Sequence, residues 1–180
     1  MLYTRKGDNG TTKTFGCDQR ISKSSSIAEA LGSLDETNSY LGVIKSKIND
    51  LKFGTENIQN ILDRTQNNLF IIQAQVAGAD KKLSESETKY IEVIVDGIEK
   101  ELPPIKSFLV SGANEISANF DFARTLARRA ERRIVAVSDE GIAKTDPQTL
   151  VFLNRLSSLL YAFARFSASK FGHAEKPPTY

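Results

Sequence analysis

One cysteine and one histidine in 180 residues leave few routes to chemistry. A lone Cys17 excludes an internal disulfide and a redox pair. With only His173 beside it, the chain lacks the usual ligand set of a protein zinc site. That histidine stands in the C-terminal tail, so a Ser-His-Asp hydrolase is excluded in practice and Cys17 has no activating base. No apolar run approaches the ~18 residues of a membrane span. The opening Met1-Leu-Tyr-Thr-Arg5 lacks a signal-peptide core, so a cytoplasmic protein without a membrane partner is expected. A net charge of +2 is too small to make the surface a nucleic-acid magnet, so any anion site must come from local clustering.

Such clustering is present. Between 124 and 133, five of ten residues are arginines. Apolar side chains recur at Ile116, Phe120, Ala123, Ala127, Ala130, Ile134 and Val137, steps of three and four that make one helical stripe. Arg124, Arg128 and Glu131 follow a second stripe beside it, which predicts that they project near the seam with neighbouring helices. Arg129, Arg132 and Arg133 fall nearer the opposite, solvated face. Arginines at a core edge need an anionic partner to offset desolvation, which points to a phosphate-rich ligand.

The remaining pattern predicts one all-α domain over 1–180, an antiparallel five-helix bundle with an irregular N-terminal loop. Residues 1–24 are rich in Gly, Thr, Ser and Lys without a helical period; 25–171 form the bundle; the tail 172–180 is expected to fray. The first helix is expected over 26–49 and the second over 55–77. Ser84 with Glu87 forms a capping box for the third, and Pro103-Pro104 stops it. A link through Phe108 and Ser111-Gly112 leads to the arginine helix, Gly141 breaks the chain, and Asp146-Pro147 starts the fifth helix. No strand is expected.

Thr4, Arg5, Lys6, Gly7, Asp8, Gly10, Thr11 and Thr12 have the ingredients of an anion cradle, since glycines let backbone N–H groups turn toward a phosphate. The stretch is not a Walker loop, because Thr12 stands where that motif needs glycine before Lys13. On composition alone a flexible terminus is the reading it fits better. Asp35, Glu36 and Asn38 sit mid-helix, where Asp and Asn compete with the backbone. Asp35 is either an exposed acid or the partner of an arginine from another helix, Arg124 or Arg128. Asn154, Ser157 and Tyr161 share one side of the last helix beside its apolar stripe. This inventory of cations and hydrogen-bond donors suits a site that orients reactants and stabilises a leaving phosphate.

Four blocks resemble the ATP:cob(I)alamin adenosyltransferases of the propanediol-utilisation type. Thr4-Arg-Lys-Gly-Asp-Asn-Gly-Thr-Thr12, followed by Lys23, is similar to that family's ATP-binding loop. Gly32-Ser-Leu-Asp-Glu-Thr-Asn-Ser39 is similar to its first-helix motif. Ala123-Arg-Thr-Leu-Ala-Arg-Arg-Ala-Glu-Arg132 matches the arginine helix, and Leu153-Asn-Arg-Leu-Ser157 with Ala164-Arg165 matches the last one. Three positions depart from the pattern: Ile27 where arginine is common, Ser158 where aspartate is common, and Ser111-Gly112-Ala113 in place of a Pro-Gly-Gly turn.

The resemblance implies a homotrimer with ATP and corrinoid meeting between subunits. It implies that the N-terminal loop, Lys23, Arg128, Glu131 and Asn154 hold ATP and its Mg2+. Asp35 and Arg124 would form an inter-subunit salt bridge on the corrinoid side, and Phe108 would press on the corrin's lower face and exclude a lower axial ligand. It further implies cob(I)alamin as substrate, a cobalt reductase as electron donor and an adenosylcobalamin-dependent enzyme as recipient. Two other classes are a nucleic-acid-binding bundle, which needs Arg124 and Arg128 exposed, and a corrinoid carrier without turnover.

Overall fold

The computed structural model describes residues 2–15 and 19–180; Cys17 and its expected inertness lie outside the described residues. Five helices carry the fold: α1 Ser26–Lys47, α2 Ile58–Val76, α3 Glu85–Glu101, α4 Glu115–Asp139 and α5 Pro147–Lys170. Apolar side chains line their inward faces, among them the predicted stripe of α4 from Phe120 to Val137. Leu34, Leu41 and Ile44 of α1 are buried with Ile61, Leu62, Leu69 and Ile72 of α2. Phe120 of α4 meets Phe163 of α5 with ring centroids 5.3 Å apart.

The helices form a ring. Residue contacts join α2 to α1, α1 to α4, α4 to α5, and α5 to α3. An ion pair from Arg64 on α2 to Glu87 on α3, 2.7 Å, closes the circle. Rising positions on α1 meet falling ones on α4 (Tyr40 with Asn119, Lys47 with Glu115), so that pair is antiparallel. Glu92 with Arg155 and Glu101 with Lys170 instead place α3 and α5 side by side in the same direction.

Helix starts follow local chemistry. Asn57, Asn114 and Asp146 each accept a hydrogen bond from a backbone N–H two or three residues on, and Pro147 occupies the first turn of α5. Ser84 caps α3 by accepting from the Ser86 N–H. The other half of the expected capping box does not form. Glu87 turns instead to the Arg64 guanidinium and to Asn68 Nδ2 at 2.8 Å, because a charged partner outbids a backbone N–H.

The expectation of no strand is corrected twice. Thr11–Thr12 (β1) pairs antiparallel with Ile21–Ser22 (β2), and Lys52–Phe53 (β3) with Glu56–Asn57 (β4). The second hairpin turns through Gly54 at φ 58°, a left-handed position glycine adopts freely, and delays α2 to Ile58. Pairs two residues long leave no alternation to read. The tail is not frayed either: the Val110 N–H donates to the Lys176 carbonyl at 2.9 Å, and Glu175 pairs with Arg165 at 3.0 Å.

Candidate functional site

The N-terminal loop is built around Arg20. Its Nε donates to Thr11 Oγ1 at 2.6 Å, its guanidinium reaches the Thr11 carbonyl at 2.8 Å, and it also bonds the Lys6 carbonyl. The Thr11 hydroxyl in turn donates to Asn9 Oδ1 at 2.6 Å. That hydroxyl proton is therefore committed inside the loop, and what Thr11 offers an incoming anion is geometry. The Lys23 N–H donates to the Gly10 carbonyl at 2.9 Å, which brings the two ends of the loop together. A Cβ on Gly7 would stand 3.1 Å from the Thr11 carbonyl oxygen and 3.2 Å from Lys23 Nζ, so glycine lets the backbone across the loop come close at this point. Gly10 at φ 77° and Arg5 at φ 59° bend the backbone. Thr4, Lys6 and Asp8 are exposed around it. Sequence reasoning did not select Arg20; its signal was an arginine beside Ile21-Ser22, the strand that pairs with Thr11.

A second cluster lies between α4 and α5. Asn154 Nδ2 donates to Glu131 Oε1 at 3.0 Å, and Asn154 Oδ1 accepts from Arg155 at 2.9 Å. Arg155 is held by Glu92 of α3 at 2.7 Å. Arg128 stands one turn before Glu131. It is exposed and, among the described residues, engages no hydrogen bond or ion pair.

That exposure corrects the seam placement of Arg128. The reach expected of the second stripe belongs to Arg129, which pairs with Glu36 of α1, and to Arg133, 3.9 Å from Glu29. Helical period fixes the angle between side chains, but α1 packs on the flank of α4 that carries Arg129. Asp35 is exposed, and neither Arg124 nor Arg128 reaches it within the chain. It lines an open groove of about 510 Å³ between α1 and α2 with Leu31, Phe70 and Gln73.

Arg124 is half-buried on the α5 side. Its Nε lies 3.3 Å from Asp121 Oδ1, and its guanidinium stands over the Tyr161 ring at 5.7 Å. Burial pushes the Tyr161 hydroxyl up from its ordinary 10.0, so it stays protonated as a donor. Asp121, 7% exposed, was missed, although a carboxylate three residues before an arginine on one helix face is a readable signal. Phe108 projects from the α3–α4 link, 84% exposed. Its neighbours Leu109 and Val110 line a small cavity of about 40 Å³ with Arg124, Tyr161 and Glu175.

A cleft of about 660 Å³ opens at one end of the bundle among Thr14, Ile27, Gln75, Lys144 and Asp146. It places the Ile27 departure at a cavity wall, whereas Ser158 is exposed on α5. Gly112 keeps a left-handed turn at φ 94° despite its altered neighbours. Among the described residues no group of three or more His, Cys, Asp or Glu could hold a metal ion. No described helix is long and apolar enough to cross a membrane.

The chain is an arginine-rich five-helix bundle with a glycine-threonine hairpin near its N-terminus and, among the described residues, an unpartnered guanidinium one turn from a carboxylate–amide pair. The family model for cobalamin adenosyltransferase matches residues 2–167, and the chain belongs to that family. It is 37% identical to the corrinoid adenosyltransferase PduO of Salmonella typhimurium over 91% of this chain and 48% of the relative. It thus spans about half the length of that relative. A Bacillus subtilis corrinoid adenosyltransferase is 34% identical over 95% of this chain and 88% of its own. The fold superposes on a variant PduO-type ATP:corrinoid adenosyltransferase from Lactobacillus reuteri, complexed with cobalamin and ATP. The TM-score is 0.90 at 29% identity, with 100% of both chains covered.

Proposed function

We propose that the chain transfers the 5′-deoxyadenosyl group of ATP to the cobalt of cob(I)alamin, releasing triphosphate. The observation that carries this reading is the unpaired Arg128 one turn from the Glu131–Asn154 pair, in a member of this family. In the reaction the Co(I) electron pair forms the cobalt–carbon bond at C5′, the C5′–O bond breaks, and its electrons leave with triphosphate. Cobalt ends as Co(III). No proton moves in that step, which agrees with a site that lacks histidine.

The chain's own residues align and neutralise. Thr4, Arg5, Lys6, Gly7, Asp8, Gly10, Thr11, Thr12 and Lys23 form the triphosphate cradle, and Arg128 adds a guanidinium to the leaving group. Mg2+ fits this arrangement: a hard cation takes oxygen ligands, and Glu131 offers one carboxylate while phosphate oxygens supply more. When bound, it would neutralise phosphate charge. Asn154 holds Glu131 in place.

Phe108 is proposed to meet the corrin's lower face, where an aromatic ring offers cobalt no donor atom. Asp35 and Arg124 lie on different faces of one chain, which suits a salt bridge between copies in a homotrimer. A cobalt reductase and an adenosylcobalamin-dependent enzyme are the partners this chemistry needs, in the cytoplasm. The exposure of Arg128 meets one requirement of a nucleic-acid binder, but Arg124, Arg129 and Arg133 are taken by carboxylates.

The test is direct. Purified chain with Mg2+, ATP and chemically reduced cobalamin should give the cobalt–carbon absorbance spectrum and release triphosphate. Corrinoid binding without triphosphate release would identify a carrier instead, and binding to duplex DNA that weakens steeply with salt would identify the nucleic-acid class.

A further inference from the structure

Phe108 poses a positioning problem. A phenylalanine 84% exposed is not held by packing, so its place depends on what anchors the backbone of the α3–α4 link. Two anchors are present, and both come from the far end of the chain. The Arg165 guanidinium, on a residue only 8% exposed, donates to the Pro103 carbonyl at 3.0 Å, just after α3 ends. The Val110 N–H, two residues beyond Phe108, donates to the Lys176 carbonyl at 2.9 Å.

Glu175 couples these anchors. Its carboxylate accepts from Arg165 Nε at 3.0 and 3.1 Å and from a terminal guanidinium nitrogen at 3.0 Å. A guanidinium this deeply buried demands a carboxylate partner, so the demand of Arg165 pulls the tail inward. Gly172, at φ 71°, provides the reversal that sends the chain back from the end of α5. The tail then lies along the link, with Lys176 beside Val110. Glu175 also lines the small cavity shared by Val110, Arg124 and Tyr161.

We propose that Glu175 is a positioning residue: by pinning the tail to Arg165 it holds the link between Pro103 and Val110 so that Phe108 meets the corrin ring. This rests on the reading of Phe108 as the residue on the corrin's lower face. Glu175 touches no reactant; it acts through Phe108.

The experiment uses the full chain and compares Glu175→Gln, Phe108→Ala and the double variant. The probes are reduced cobalamin at saturating Mg-ATP and ATP at saturating cobalamin. The fraction of bound cobalamin whose absorbance reports loss of the lower axial ligand is the spectroscopic readout. Glu175→Gln keeps the side-chain shape and removes the charge. Its KM for reduced cobalamin should rise about tenfold or more, as misplacement of an orienting group does. The ligand-off fraction should fall while KM for ATP stays within about twofold. Because Glu175 acts through Phe108, adding Glu175→Gln to Phe108→Ala should change little further.

An unchanged cobalamin KM and spectrum in Glu175→Gln, with an active wild type, would overturn the role. So would effects of the two substitutions that multiply in the double variant. Equal losses toward ATP and cobalamin, with a collapsed melting temperature, would reduce Glu175 to a general structural contact and also overturn it. A wild-type chain that turns nothing over would sink the functional reading, and this role with it.

Discussion

Replacing Arg128 with alanine separates binding from folding. Its side chain is exposed and unpartnered among the described residues, so its removal leaves no buried charge and no cavity. Surface substitutions of that kind change stability by roughly 0.5 kcal/mol or less, and alanine is the best helix former. For a chain of this size that is a shift in Tm of about 1–2 °C. A hydrogen bond from a guanidinium to a phosphate oxygen, by contrast, is worth about 1.5–3 kcal/mol. At 1.4 kcal/mol per decade, ATP use should fall about 10- to 150-fold.

Because the guanidinium faces charge that grows on the leaving triphosphate, part of the loss should appear in kcat and part in KM for ATP. The assay pairs a thermal melt with ATP titration and steady-state triphosphate release. A Tm that collapses while the folded fraction binds and uses ATP normally would refute the placement of Arg128 at the nucleotide. Arg128→Lys keeps the charge but loses the planar fork, and should recover only part of the rate.

Asp35→Asn should weaken reduced-cobalamin binding while ATP affinity stays nearly unchanged; separate titrations that show the reverse would remove Asp35 from the corrinoid side. Glu87→Gln probes the α2–α3 closure. The hydrogen bond from Arg64 holds the Glu87 carboxyl below its ordinary 4.5. The wild type should therefore exceed the variant in urea stability above that pH and lose the advantage as pH falls through the lower folded value. With the Arg64 side chain 42% exposed, the full advantage is about 1 kcal/mol or less, and a difference constant from pH 7 to pH 3 would contradict it. Gly97→Ala sets two effects against each other. Helix propensity favours alanine by about 1 kcal/mol, but a Cβ there would stand 2.7 Å from Phe53 Cζ, whose ring packs edge-on against Phe166. Overpacking costs about 1–3 kcal/mol, so the variant should melt lower, and a raised Tm would show the ring yields freely.

What the sequence made legible was governed by periodicity. Apolar steps of three and four located all five helices, because Leu34, Ile61, Ile91, Phe120 and Phe163 must share one interior. The same period placed Arg124, Arg128 and Glu131 on one face. It could not say which neighbour lies on either side, so Arg129 rather than Arg128 reaches α1. Asp35 was read as either exposed or paired with an arginine of another helix, and within one chain it is exposed. The two hairpins escaped notice because two-residue strands carry no alternation. The Ser84–Glu87 capping box failed because its acid found a guanidinium twenty-three residues earlier in sequence. Likewise, the part Arg20 plays comes from a contact nine positions away and from a Lys6 carbonyl, which no local pattern announces.

The closing staple at Arg165 has a practical side. A purification handle fused after Tyr180 would hang a few residues from Glu175, and one fused before Leu2 would hang from the hairpin that Arg20 braces. Neither Leu2 nor Tyr180 is a neutral place to attach a label. The exposed bend at Glu140-Gly141, beyond the end of α4, contributes a side chain to neither brace and is a better insertion point for a fluorophore.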